Sequence, residues 1–492
     1  MSRAAPVAAS GVLTPDASIP DVLPRPEGAA SGVALMPSGL AAFAARVQAA
    51  RAATRTLDLQ YYIWRGDLTG QVLARELLRA ADRGVRVRVL LDDMYAIGRE
   101  RVLAVMDAHE NIEVRLFNAT RWRRFGQLGL LLEIVFGGWH LNRRMHNKAW
   151  IADGRAAICG GRNIGDEYFD ASGEFNFRDL DLAIAGRAAG AAQAIFDRYW
   201  NHYLARTVTE VSQAPHRRRG GLRGLAAKLD AACTAPGARP FFESLDAEPG
   251  VARILAGDSS RLSPVAVDSI RVVADPPDKA RGLAPERECL AHAILEALQG
   301  ARREALLISP YFVPGEQGAE MLERMARGGV RVSVVTNSLA ATDVVAVHGG
   351  YARYRERLLA AGVEIRELKP SGDEGASVFG SRGASLHTKA LVIDGELSFV
   401  GSFNLDPRSA ALNTEMGAFV RDEGIAAELR EEHARLAEPA RSWRVALERP
   451  GRLFWTGEFV GVEVTRHSEP DASLRRRLLA RLVRLLPVES QL

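Results

Sequence analysis

Two stretches of this chain carry the same reactive side chains at the same spacing. His387 and Lys389 stand two apart in LHTKALVID, followed by Asp394, Gly395 and a GSFN run that ends at Asn404. The same phrase occurs upstream as MHNKAWIADGRAAICGGRN, with His146, Lys148, Asp153, Gly160, Gly161 and Asn163 in matching places. Residues two apart in a strand share a face, so each imidazole lies beside an ammonium. Two His, two Lys and two Asn converging on one point supply a nucleophile, an acid and an anion cradle, with no need of a metal or cofactor. A phosphodiester is the target that uses such a set: Lys and Asn hold the non-bridging oxygens and stabilise the charge of the transition state. One neutral imidazole attacks phosphorus while the other, protonated, gives its proton to the departing alkoxide. The resulting phosphohistidine is then released to water or to an alcohol.

Each histidine needs an acceptor at its second ring nitrogen to hold its tautomer. Asp179, in FRDLDLAI, and Glu415 head apolar strands at corresponding positions and are the candidates. Asp153 and Asp394 each precede a glycine in a hairpin turn, so both are read as turn residues and not as catalytic groups. Arg162, Arg408 and Ser409 near the repeated phrase are open to two readings, substrate contact or ordinary loop solvation. Lysine occurs only at 148, 228, 279, 369 and 389, and every other basic residue is Arg or His. Lysine at both matching positions indicates that a compact ammonium is wanted there, in place of a forked guanidinium.

The elements that must position these groups read as an α/β pattern written twice. In the first half, helix 38–53 precedes strand 56–64, helix 68–83, strand 84–93, helix 99–109 and strand 112–117. In the second, helix 288–299 precedes strand 305–313, helix 318–327, strand 329–337, helix 351–361 and strand 363–368. The phrase falls at the same place in each series, so duplication is the better reading. The expected divisions are a flexible leader over 1–37, a first domain over 38–210, a linker over 211–265, a second domain over 266–450 and a C-terminal segment over 451–492. Gly, Pro and Arg in HRRRGG, TAPGARP and DSSRLSP give the linker its character.

A length of 492 residues with 47% hydrophobic composition favours two or more globular domains. Cys159, Cys233 and Cys289 are widely separated and show neither a disulfide framework nor zinc-ligand spacing. A net charge of +4 is too small to imply nucleic acid, and no aromatic-basic groove pattern supports it. No apolar run approaches the roughly 20 residues needed to cross a bilayer. Two segments still point to a membrane surface. Residues 125–139, FGQLGLLLEIVFGGW, are fenced by Arg121, Arg123 and Arg124 before and Arg143 and Arg144 after. Such a segment is either buried or interfacial, its arginine fence meeting headgroups. Residues 474–486, LRRRLLARLVRLL, form a basic amphipathic helix whose leucines either pack inward or lie on lipid.

The paired signature HxKxxxxD followed by a glycine turn and Asn resembles the phospholipase D superfamily, with both copies intact about 240 residues apart. More narrowly, LDLQYYIW, GVRVRVLLDD, LNRRMHNK, GGRNIGDEYF and GSFNLDPRSAALNTEMG are similar to bacterial cardiolipin synthases of the C type. That resemblance implies two phospholipase D-like α/β/α sandwich domains with one active site at their interface. It implies a phosphohistidine intermediate on either His146 or His387, of which His146 is favoured here, and no cofactor or metal. It also implies phosphatidyl transfer to phosphatidylglycerol, the donor being phosphatidylethanolamine or a second phosphatidylglycerol, by a protein held peripherally at the cytoplasmic side of the inner membrane.

Overall fold

The computed structural model describes residues 23, 30–136, 138–211, 219–258, 262, 264–267, 269–370, 384–486 and 489–491. Most of the leader, together with 212–218 of the linker, lies outside the described residues.

The chain builds two mixed sheets. The first runs, in spatial order, Val265–Val267, Ser31–Met36, Asp181–Gly186, Ala156–Gly160, Ala149–Ala152, Thr56–Tyr61, Arg86–Asp92, Ile112–Phe117 and Ala205–Thr207. The second runs Ser269–Ala274, Met416–Arg421, Leu397–Gly401, Ala390–Ile393, Glu304–Ile308, Arg331–Asn337, Glu364–Leu368 and Ser442–Arg449, then Arg452–Phe459 and Val462–Arg466. From Ser31–Met36 and Ser269–Ala274 onward, strand order and direction agree: four antiparallel neighbours, then two parallel pairings that require helical crossovers. The fold is therefore two copies of one α/β sandwich.

Each sheet covers one face with its own helices and turns the other toward its twin. Gly39–Ala52 and Leu68–Asp82 bury Phe43, Val47, Leu73 and Leu77 on the outer face of the first sheet. Gly315–Arg327 takes the corresponding outer position on the second, burying Met321 and Leu322. On the inner faces lie the long helices Arg187–Trp200 and Glu423–Ala437, whose Phe196, Trp200, Ile425 and Leu429 join strands of both sheets in one continuous apolar core. The two halves are thus sealed by burial of common apolar surface, the dominant favourable contribution to folding. Tyr199 adds a polar tie across the seam, donating to the Asp275 carbonyl at 2.7 Å.

Three expectations change. Residues 31–36, placed in the leader, form a sheet strand paired with Asp181–Gly186. Residues 452–466, placed in the C-terminal segment, extend the second sheet by two strands. The linker, expected to hold one short helical piece, carries three helices, Arg219–Thr234, Arg239–Ala247 and Pro249–Leu255. Pro236, Pro240 and Pro249 stand in first turns, where a missing N–H costs nothing, and start helices instead of breaking them. Leu229, Phe241, Leu245, Val251 and Ile254 are buried against the first domain, with the Phe241 ring edge-on to Phe43 at 5.1 Å.

Candidate active site

The hairpins expected around Asp153 and Asp394 form as predicted: Ala149–Ala152 pairs with Ala156–Gly160, and Ala390–Ile393 with Leu397–Gly401. Both aspartates adopt positive φ, 52° and 55°, before their glycines. The Asp153 carboxylate accepts from the N–H groups of Thr54, Arg55 and Thr56 at 2.8–3.0 Å. That of Asp394 accepts from Arg302, Arg303 and Glu304 at 2.7–3.1 Å. Each clamps the chain as it enters the central strand. Asp153→Ala should cost about 1–3 kcal/mol, because it strips a charged acceptor from three partly buried N–H donors. A lowered thermal midpoint with turnover per folded molecule retained would confirm this, whereas lost turnover at unchanged stability would contradict it.

Beyond each hairpin's outer end the chain crosses to the other half, and here the site is made. Asn176–Arg178 pairs in parallel with Ala384–Leu386, so Leu386 stands beside Arg178 and the next residues, His387 and Asp179, meet. A matching bridge sets Met145 beside Thr414, so that His146 and Glu415 meet. The His387 N–H donates to Arg178 O at 2.7 Å and the His146 N–H to Thr414 O at 2.8 Å, fixing both registers. The consequence is crossed pairing. His146 Nδ1 lies 2.8 Å from Glu415 Oε2 of the second half, and His387 Nδ1 lies 2.5 Å from Asp179 Oδ2 of the first.

The lysines complete two equivalent corners, Lys148 Nζ donating to the His146 carbonyl at 2.7 Å and Lys389 Nζ to that of His387. All eight predicted polar residues are buried at this one place: His146, Lys148, Asn163, Asp179, His387, Lys389, Asn404 and Glu415. Asn163 spends its amide within the fold, accepting from Ile63 N–H at 3.2 Å and donating to Tyr168 Oη at 3.0 Å. Asn404 Oδ1 is buried without a hydrogen-bond partner among the described residues. Glycine is needed at 161, where a Cβ would stand 2.1 Å from Asp179 Oδ1. The second half has Ser402 at this point, and its hydroxyl donates to Glu415.

Burial dominates the electrostatics. It pushes the His146 imidazole down to about 4, against the opposing pull of Glu415. Burial and the Lys389 charge likewise lower His387. The His146 ring is therefore neutral near pH 7, with Nδ1–H donating to Glu415, while the Asp179 carboxylate opposes the lowering of His387. Burial alone would raise Asp179 and Glu415, but pairing with His387 and His146 overrides it and holds both carboxyls below their ordinary values. Desolvation pushes Lys389 down to about 8 and Lys148 well below its usual range. Such a site is short of negative charge and is matched to an incoming anion.

Several contributors carried no signal in the repeated phrase. The Tyr62 ring stands edge-on to His146 at 5.1 Å and faces Lys148, and Tyr168 does the same for His387 at 5.3 Å. These tyrosines belong to LQYYIW and GDEYF and have no counterparts at fixed spacing in the second half. Arg162 proves structural: buried, it donates to the carbonyls of Met36, Pro37, Tyr168 and Asp179. Ser409 accepts from the Asn404 N–H at 3.3 Å, and Arg408 donates to Asn142 O at 2.7 Å, so both hold loops at the rim. The arginine fence divides. Arg121 is exposed, whereas Arg123 is buried against Asp93 and Glu100, and Arg144 is fully buried 3.6 Å from Asp92.

A family model described as cardiolipin synthase, PLD-like domain, matches residues 47–200 and 294–437. Cardiolipin synthase C of Escherichia coli (strain K12) is 38% identical over 464 residues, 93% of this chain and 95% of that protein. A cardiolipin synthase of Staphylococcus aureus (strain N315) is 27% identical over 395 residues, covering 78% of this chain and 63% of its own length. Among solved structures, phosphatidylserine synthase from Haemophilus influenzae Rd KW20 superposes with a TM-score of 0.60 at 14% identity, covering 96% of this chain and 98% of that one, a likeness of fold. Matched in both halves by the family model and along nearly its whole length by a relative, the chain belongs to the phospholipase D superfamily, in the family of cardiolipin synthase PLD-like domains.

Proposed function

We propose that this protein is a phosphatidyltransferase that forms cardiolipin, passing a phosphatidyl group through a phosphohistidine to the glycerol headgroup of phosphatidylglycerol. The observation that carries this reading is the single buried site in which two complete His, Lys and Asn sets meet with crossed carboxylates. The 38% identity to a protein named cardiolipin synthase C supports the choice of reaction. His146 is the nucleophile. Its carboxylate partner also accepts the Ser402 hydroxyl, so Glu415 has less charge to spend on an imidazolium, and His146 stays neutral with Nε2 available. His387 has the shorter contact, 2.5 Å to Asp179, and is the better placed to take up, give and later reclaim a proton. Lys148, Lys389 and Asn404 cradle the non-bridging oxygens, while Asn163 holds Ile63 and Tyr168 in place.

Two exposed apolar surfaces supply a membrane face. No helix among the described residues is long and apolar enough to cross a membrane. The helix Gly126–Val135 and its flanks present Phe125, Leu128, Leu131, Val135 and Phe136 to solvent, Phe136 being 72% exposed. In the C-terminal helix Leu474–Leu485 Arg476 and Arg477 turn inward, while Arg475, Arg481 and Arg484 stay exposed. Arg476 donates to Leu339 O and Thr342 O, Arg477 to Glu469 O, and the Ala480 carbonyl would lie 2.8 Å from a Cβ at Gly349. Leu474, Leu478, Leu482 and Leu485 point away from the protein, the reverse of a packed amphipathic helix. The chain then returns to the rim, where Asn142 donates to Gln491 at 2.6 Å. Both surfaces belong at the interface of a bilayer, and we place the protein peripherally on the cytoplasmic side of the inner membrane.

The test is a product assay with phosphatidylglycerol alone and with added phosphatidylethanolamine. Cardiolipin should form, and kcat/KM should fall as pH rises through about 8, because Lys389 is charged below that value and loses its proton above it. Phosphatidic acid as the main product would replace transfer by hydrolysis.

A further inference from the structure

A cavity of about 520 Å³ opens beside the His146 corner and has no role in the chemistry above. Its floor is the first sheet, through Val89 and Val114, and its walls are the helices Leu68–Asp82 and Glu100–Asp107. Its outer side is closed by Leu225 and Leu229 of Arg219–Thr234, the first of the linker helices. Well-packed interiors rarely keep an apolar space of this size, and about 300–1,000 Å³ is the range of small-ligand sites. Tyr62 lines the cavity and also stands 5.1 Å from the His146 ring, so the space adjoins the reacting group. Arg65, paired with Glu167 at 2.7 Å, and Arg99 border it together with Asp67 and Asp92, a polar edge on an apolar interior.

We propose that this cavity takes one acyl chain of the phospholipid whose phosphodiester is held at His146. The inference rests on the functional reading above and adds to it where the lipid tail goes. An amphiphile with an anionic head beside apolar carbons matches the sequence of surfaces met on leaving the lysines: aromatic Tyr62, then an apolar interior. It also gives the linker helix a purpose, since without Leu225 and Leu229 the cavity would be an open groove.

Phosphatidylglycerol carrying a diazirine at mid-chain, photolysed with the full-length protein, should label the segments 100–107 and 222–229. In parallel, kcat/KM for dioleoyl relative to dihexanoyl phosphatidylglycerol should fall at least tenfold in Ala74→Phe, which fills the cavity, and in Leu225→Trp, whose position at the outer wall tolerates bulk if Ala74→Phe fails to fold. Labelling confined to the exposed leucines of 474–486, or an unchanged chain-length ratio in a folded variant, overturns the proposal even if cardiolipin forms. Labelling of both segments, lost in the filled variant, supports it even if the wild type makes no cardiolipin. The two readings are therefore tested apart.

Discussion

Alanine at His146 should remove lipid product altogether, a fall of about 10⁴-fold or more, because the group that would bond to phosphorus is gone. His387→Ala should be equally inactive on natural lipids, but for a different reason. Its loss leaves the alkoxide without a proton donor and the second step without a base, while the attacking imidazole stays in place. A phosphatidyl ester of p-nitrophenol separates the two, since that leaving group departs unprotonated. In His387→Ala it should give a burst of one p-nitrophenolate per site and an acid-labile adduct on His146, seen by mass spectrometry. In His146→Ala it should give neither. An adduct on His387, with the burst in the other variant, would reverse the assignment of nucleophile and acid. No burst in either would remove the phosphohistidine.

The next largest effect is expected from a residue in the opposite half. Asp179→Asn leaves His387 untouched in sequence yet deprives its Nδ1 of a charged acceptor 2.5 Å away, and kcat should fall by about 10²–10⁴ with KM changed far less. If Asp179 works through the acid, the loss must depend on the leaving group, being severe for a glycerol alkoxide and slight for p-nitrophenolate. Glu415→Gln works through the nucleophile and should slow both substrates alike. Equal losses on both substrates in Asp179→Asn would reduce that residue to a structural support.

Much of the site was legible because phosphoryl chemistry restricts residue type and spacing. His-x-Lys within an apolar run places imidazole and ammonium on one face before any tertiary structure is known, and the second copy doubles the signal. The turn role of Asp153 and Asp394 followed from the glycine behind each. Which carboxylate serves which histidine was not legible, because it is decided by parallel pairing of 176–178 with 384–386, segments about 200 residues apart with three-residue strands too short to announce themselves. The linker misled because proline and glycine mark helix starts as readily as breaks, and only the spacing of Leu225, Leu229, Phe241 and Leu245 distinguishes the two. The inward turn of Arg476 and Arg477 depended on Gly349, which lets the two helix backbones approach closely and leaves the leucines outside.

Lysine usage widens in the same way. Beside Lys148 and Lys389, Lys279 is buried between Asp275 at 2.8 Å and the Ser409 carbonyl. Lys369 donates to three carbonyls and lies 4.7 Å from the Trp443 ring centroid. In an arginine-rich chain, the four buried lysines stand where a small ammonium fits beside backbone or carboxylate oxygens, and only Lys228 is exposed.

The exchanged His and carboxylate partners have a consequence for ancestry. If each half were released as a free polypeptide, neither could assemble a histidine with its acceptor, but two copies of one half related by a twofold axis could assemble both. The arrangement is that of an isologous dimer, in which residue i of one subunit meets residue j of the other and the reverse contact recurs across the axis. Fusion of the two genes would have kept the axis while freeing each side to diverge. The present difference between Gly161 with Asp179 and Ser402 with Glu415 is the kind of divergence that lets one imidazole become a nucleophile and its twin an acid.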